Sequence, residues 1–318
     1  MSTVMAPRSV GAHLPAQRSR TFATTPAGSR RRLPTSRVRA VWNTVKTAVL
    51  LAALGGVLVL VGSLFGELGA LLGLIAGLML VGGSYWFSDR LALRAAGAVR
   101  VRVWEAPVYH RIVRELCREA DLPMPRLYVT PDAQPNAFAT GRSPRHAAVA
   151  VTRGLLDVLS PRELRAVLAH ELAHVRNRDI LLTSVAAAVA TGITFLANVA
   201  GWLPLLGADD EEEPGPLGLL LAALLAPLAA TVLQLALSRS REYEADRTGA
   251  TLLGDGRALA SALARIEAVA RRRPMHVEPA QASKYLVNPL TGRSLALSGL
   301  FSTHPPVQAR VERLQQLH

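Results

Sequence analysis

A run of 41 residues, 47–87, limits this chain more than any other feature: it is apolar almost throughout, and Glu67 is its only charge before Ser88-Asp89-Arg90. About 20 helical residues cross a bilayer core of ~30 Å. The run is therefore too long for one span and long enough for two, joined by a tight turn near Gly62 to Gly69. A second pair is expected at Ile180 to Leu206 and Leu217 to Leu237, joined by Asp209-Asp210-Glu211-Glu212-Glu213-Pro214. Asn198, Pro204 and Pro227 interrupt that pair, and two buried core helices are the competing reading. Half of the 318 residues are hydrophobic, which excludes an ordinary soluble enzyme. The expected class is an α-helical membrane protein with four transmembrane helices and a substantial polar domain.

Charge gives the orientation. Net charge is +13, with eight arginines before the first span, Arg90, Arg94, Arg100 and Arg102 after the second, and Arg239 and Arg241 after the fourth. By the positive-inside rule both termini and the polar domain face the cytoplasm, and the acidic loop faces out, as in a multi-pass cell-membrane protein. Residues 1–43 lack any acid and are rich in Arg, Ser, Thr, Pro and Ala, so a disordered basic tail is expected. An organellar transit peptide shares that composition, whereas a cleavable signal peptide is not indicated, because the first apolar run begins late and a second follows it. The basicity suits anionic lipid headgroups; no nucleic-acid motif accompanies it. Cys117 is the single cysteine, which excludes an internal disulfide and a cysteine zinc site, and it fits as apolar filler in an amphipathic helix over Ala106 to Ala120.

Chemistry concentrates at His170-Glu171-Leu172-Ala173-His174. Two histidines four apart on a helix point the same way and can close on one zinc ion, leaving Glu171 free to polarise water. Ser160-Pro161-Arg162-Glu163 is a capping box with proline at the first helical position. Leu164, Val167, Leu168, Leu172 and Val175 then form an apolar stripe, with the motif along its edge. Such a site needs a third protein ligand from elsewhere in the chain.

Arg239-Ser240-Arg241-Glu242-Tyr243-Glu244-Ala245-Asp246 offers it. Glu242 and Asp246 share a helix face and Glu244 points away, so Glu242 is the candidate ligand and Asp246 the acceptor behind a ligating histidine. A charged helix surface with Arg241 and Arg247 in ion pairs is the alternative. An antiparallel pairing of spans three and four would place His174 and Glu242 at similar heights, roughly 8–10 Å above the hydrocarbon edge.

With these segments the chain resembles the HtpX family of membrane-bound zinc metalloproteases and, more distantly, the CAAX prenyl proteases. The segments that carry the resemblance are Pro135-Asn136-Ala137-Phe138-Ala139-Thr140-Gly141, Val149 to Leu156, Val167 to Asp179, Ser238 to Asp246, and Thr303-His304-Pro305-Pro306. With the four spans it covers about residues 44–318. The resemblance implies a zincin-like, mostly α, α+β metalloprotease domain with one zinc ion per chain held by His170, His174 and Glu242. It implies Glu171 as catalytic base and acid, Asp179 beside Asp246 as a supporting acceptor, and membrane proteins as polypeptide substrates in envelope quality control. The long arginine-rich tail departs from the family.

The expected organisation is a tail over 1–43, a transmembrane hairpin over 44–88, a cytoplasmic protease domain over 89–178 and 239–318, and a second hairpin, 179–238, inserted in that domain. Short strands at Arg126 to Thr130 and His146 to Thr152 suggest a small sheet near the motif helix. An exposed edge at Ala148, Val149 and Ala150 could pair with an extended substrate; an ordinary buried strand is the other reading. Asn136 could bond substrate backbone or simply form a turn. His304, on the strength of the resemblance, could donate to the developing oxyanion. Competing functions are a CAAX-type prenyl-protein endopeptidase and a non-catalytic membrane adaptor with structural zinc. An intramembrane protease is disfavoured because Arg165, Arg176, Asn177 and Arg178 surround the motif.

Overall fold

The structure, a computed structural model, describes residues 37–63, 66–186, 239–272 and 305–317. The first two helices, α1 (Arg37–Ser63) and α2 (Gly66–Ala95), form an antiparallel pair. A Cβ added at Gly62 would run into the Gly69 carbonyl oxygen, one at Gly73 into that of Leu58, and one at Gly77 would lie 3.3 Å from the Gly55 Cα. Small residues thus let the two backbones approach closely, which is how helices associate where burial from water gives no driving force.

Among the described residues one helix is long and apolar enough to cross a bilayer, at Gly66–Gly83 in α2. The expected second pair of spans lies almost entirely in residues 187–238, outside the described residues. Two expected limits shift. Helix α1 begins at Arg37, inside the stretch expected to lack order, since Arg, Val and Ala sustain a helix once the apolar run has nucleated it. Helix α2 continues past Ser88 to Ala95 and becomes part of the polar domain: Asp89 Oδ2 pairs with Arg126 Nη2 at 2.6 Å, and Leu93 packs with Phe138, Ala148 and Ala150. Around that junction Trp42, Trp86 and Phe87 are exposed, with Lys46 over Trp42, Arg90 over Phe87 and Arg142 4.5 Å from the centre of the Trp86 ring.

The polar domain opens with β1 (Val99–Arg100), the amphipathic α3 (Pro107–Ala120), β2 (Arg126–Thr130), β3 (Ala137–Thr140) and β4 (Ala148–Thr152). The strands make one mixed sheet in the order β1-β2-β4-β3, with β2 and β4 parallel and both outer pairs antiparallel. This corrects the expected substrate edge. Ala148, Val149 and Ala150 sit in a fully buried central strand paired on both sides, so β4 has no ladder to offer; the edge near the motif is β3. Sequence alternation shows that a strand is there, not which neighbours it has.

Helices α4 (Arg153–Val158) and α5 (Pro161–Asn177) follow, then a helical segment over 179–186. After the undescribed stretch come α6 (Arg239–Leu253), α7 (Gly256–Arg272) and α8 (Val307–Gln315). The core lies between the sheet and α3, α5 and α7, with Leu116, Val149, Leu168, Leu172, Leu259 and Leu263 sealed from solvent, and α5 is its centre.

Candidate metal centre

Helix α5 is fixed at both ends, which fixes the phase of its histidines. At the start Ser160 Oγ accepts from the Glu163 N–H at 3.3 Å while Glu163 Oε2 accepts from the Ser160 N–H at 2.9 Å. At the other end Arg178 takes a left-handed conformation, φ 60°, and its N–H returns to the His174 and Val175 carbonyls. That turn folds Asp179 back beside the last helical turn, with Oδ2 3.1 Å from His174 Nδ1.

Helix α6 forms the facing wall. Its buried positions are Glu242, Ala245, Asp246, Gly249 and Ala250, an ordinary helical stripe in which two acids replace apolar residues. Gly249 makes the approach possible: a Cβ there would lie 3.0 Å from the His170 nitrogen and 3.2 Å from its Cα. We expect Gly249→Val to push α6 off α5, lowering retention of a divalent ion at least tenfold in a chelator competition while the helix content seen by circular dichroism persists. Unchanged retention would separate the α5–α6 spacing from the metal site.

Three side chains converge between these walls. His170 Nε2 and His174 Nε2 are 3.2 Å apart. Glu242 Oε1 lies 3.5 Å from His174 Nε2, and Oε2 lies 3.7 Å from His170 Nε2. Ligands at zinc distances on tetrahedral corners are separated by about 3.3 Å. The tautomers follow from the partners behind the rings: His170 Nδ1 is 2.9 Å from Asp246 Oδ1, and His174 Nδ1 faces Asp179. Protons on both Nδ1 atoms leave two Nε2 lone pairs aimed at each other and at a carboxylate. Such a cluster repels itself unless a cation sits within it, so a divalent ion with nitrogen and oxygen ligands fits. In its absence a proton is drawn in. Burial opposes charge on His174, but the Asp179 hydrogen bond and the negative charges of Glu242, Asp179 and Glu171 outweigh it and raise the pKa to about 9.

The remaining groups complete the electrostatics. Burial holds the Glu171 carboxyl above its usual range, against the pull of His170 and His174, and the Ala139 backbone N–H donates to it from β3. Arg310, fully buried on α8, donates to Asp246 through Nε at 2.8 Å and Nη2 at 2.7 Å, and its Nη1 is 3.8 Å from Glu242 Oε2. Burial would raise the Asp246 pKa; the Arg310 charge and hydrogen bonds overcome it and keep the carboxyl below its usual range.

Of the residues singled out from sequence, His170, Glu171, His174, Glu242, Asp246 and Asp179 come together here. Asn136 is buried at the head of β3, where its N–H donates to Thr152 Oγ1 at 2.9 Å. His304 lies outside the described residues. Arg310, which the sequence places one or two turns beyond His304 as a neighbour of the developing oxyanion, instead bonds Asp246; it occupies the buried i, i+3, i+7 stripe of α8 between Val307 and Leu314, where an unpaired charge is not tolerated.

Residues 104–318 match the model of Peptidase family M48. Over 280 residues the chain is 50% identical to a protein named protease HtpX homolog from Pelotomaculum thermopropionicum, covering 86% of this chain and 99% of that one. A protein of the same name from Ralstonia pickettii is 48% identical over 282 residues, 87% of this chain and 97% of that one. A crystal structure of S. mikatae Ste24p is similar at a TM-score of 0.48 and 19% identity, covering 87% of this chain and 66% of that one.

Proposed function

We propose that this chain, which belongs to Peptidase family M48, is a membrane-bound zinc endopeptidase that cleaves membrane or misfolded proteins at the cytoplasmic surface, with His170, His174 and Glu242 as ligands. The observation that carries the reading is the convergence of two imidazole nitrogens and a carboxylate within 4.8 Å of one another, with Glu171 next in sequence to His170. When bound, zinc supplies the Lewis acidity that makes water a nucleophile at neutral pH and polarises a carbonyl. The chain's own groups do the rest. Glu171, its carboxyl raised by burial, takes the proton from the attacking water and returns it to the leaving amine nitrogen. Asp246 and Asp179 hold the imidazole tautomers, and Arg310 holds Asp246.

Substrate placement follows from the ladder. The Thr152 N–H donates to the Asn136 carbonyl at 2.9 Å, so by antiparallel alternation the main-chain groups of Ala137 and Ala139 point away from β4. An extended polypeptide added to that edge would lie beside Glu171 and be held by backbone bonds that ignore side-chain identity. The exposed aromatic and basic residues where α2 enters the polar domain suit a headgroup layer, which supports a site close to the bilayer.

The test uses the full chain purified in detergent with chelator. Casein cleavage should be absent from the stripped protein and return with one equivalent of zinc per chain. Cleavage by the stripped protein, or a zinc-loaded protein that never cleaves, would overturn the reading.

A further inference from the structure

Arg241 stands beside the metal centre and takes no part in the assignments above. It lies in the first turn of α6, one residue before Glu242. Its Nη1 and Nη2 atoms are sealed from solvent and receive no hydrogen bond partner. The guanidinium feels the charges of Asp179 and Glu242, yet no ion pair joins it to either among the described residues. Arg310, which reaches the same cluster from α8, is engaged with Asp246.

A buried guanidinium that keeps its charge and lacks acceptors is costly unless a ligand completes it. The surroundings indicate what kind of ligand. The carboxylates of Asp179 and Glu242 already stand near the guanidinium, and Arg310 is taken up by Asp246. Arg241 therefore lacks hydrogen-bond acceptors and not a counter-ion. A peptide carbonyl is an acceptor without charge, and two Nη donors on one planar group can share it or take two in succession.

We propose that Arg241 is a substrate-binding residue that donates to a main-chain carbonyl of the polypeptide lying across the metal centre. The inference rests on the peptidase reading and deepens it. It accounts for an arginine kept at this position against its own solvation, and it adds a fixed contact to the backbone pairing offered by β3.

Full-length protein in detergent, zinc-loaded and carrying Glu171→Gln to prevent turnover, should bind fluorescein-labelled β-casein. Adding Arg241→Met should weaken binding at least tenfold, leave zinc content at one per chain, and leave the melting temperature unchanged or raised, because an uncompensated charge has been removed. In the otherwise native enzyme Arg241→Met should raise KM more than it lowers kcat. A fall in melting temperature would make Arg241 structural. Loss of zinc would mean that it acts through Asp179 on His174. Either result, or unchanged casein affinity, overturns the proposal. A short peptide compared as free acid and C-terminal amide decides the acceptor: equal loss on Arg241→Met supports a main-chain carbonyl, and loss confined to the acid replaces it with a terminal carboxylate. Failure of the native zinc-loaded enzyme to cleave casein would instead sink the peptidase reading, and this inference with it.

Discussion

Glu171→Gln is expected to keep its zinc and to cleave casein roughly 10³-fold more slowly, the size of effect a positioned proton acceptor supplies. The carboxamide has nearly the volume of the carboxyl it replaces. Its oxygen can still accept from the Ala139 N–H, so the contact between α5 and β3 survives. What it cannot do is take a proton from water. Glu171 is buried, and burial disfavours its ionised form, so neutralising it should not lower the melting temperature. Metal content by atomic spectroscopy, melting temperature and casein cleavage together decide the matter. Cleavage at the native rate would remove Glu171 as the proton acceptor, and loss of zinc would make it a ligand.

The site was legible in sequence because its main parts are local. Two histidines four apart and a capping box ten residues upstream specify a helix and its phase without reference to the rest of the fold. Glu242 and Asp246 were legible by the same spacing rule, one turn apart on α6. Their distance from His170 was not written in any spacing; it depends on how closely two helices pack, and Gly249 sets that.

Partners across the fold were hidden for the same reason. Alternation in residues 148–152 announces a strand, but its place between β2 and β3 depends on a crossover that the strand itself does not encode. Residues 137–140, only four long and led by Asn136, carry too little periodicity to stand out, yet they provide the sheet edge beside Glu171. The first hairpin outruns its expected end at residue 88 because hydropathy falls at Ser88 while the helix does not: α2 leaves the apolar stretch and goes on to pack against the sheet. Composition marks where a solvent changes, and helix propensity ignores that boundary.

Arg310→Met should destabilise the chelated protein by about 3–5 kcal/mol, the usual consequence of leaving one partner of a buried ion pair alone, which corresponds to a fall in melting temperature of roughly 10 °C. Asp246 would remain buried against His170 with no guanidinium to neutralise it. Adding Asp246→Asn to Arg310→Met should recover most of that loss, since neither charge is then stranded, while zinc retention stays weakened because His170 Nδ1 faces an amide in place of a carboxylate. The pH dependence has a definite sign. In the native chain Asp246 sits below its usual pKa, so its contribution is complete above about pH 4 and is lost only as pH falls further, through the folded value. Without Arg310 burial dominates and drives the carboxyl above its usual range, and protonation then relieves the variant as pH falls from 7 towards 5. The gap in melting temperature between Arg310→Met and the native chain should therefore narrow on acidification. A gap that widens, or that is absent at pH 7, would show that Asp246 draws its charge stability from some group other than Arg310.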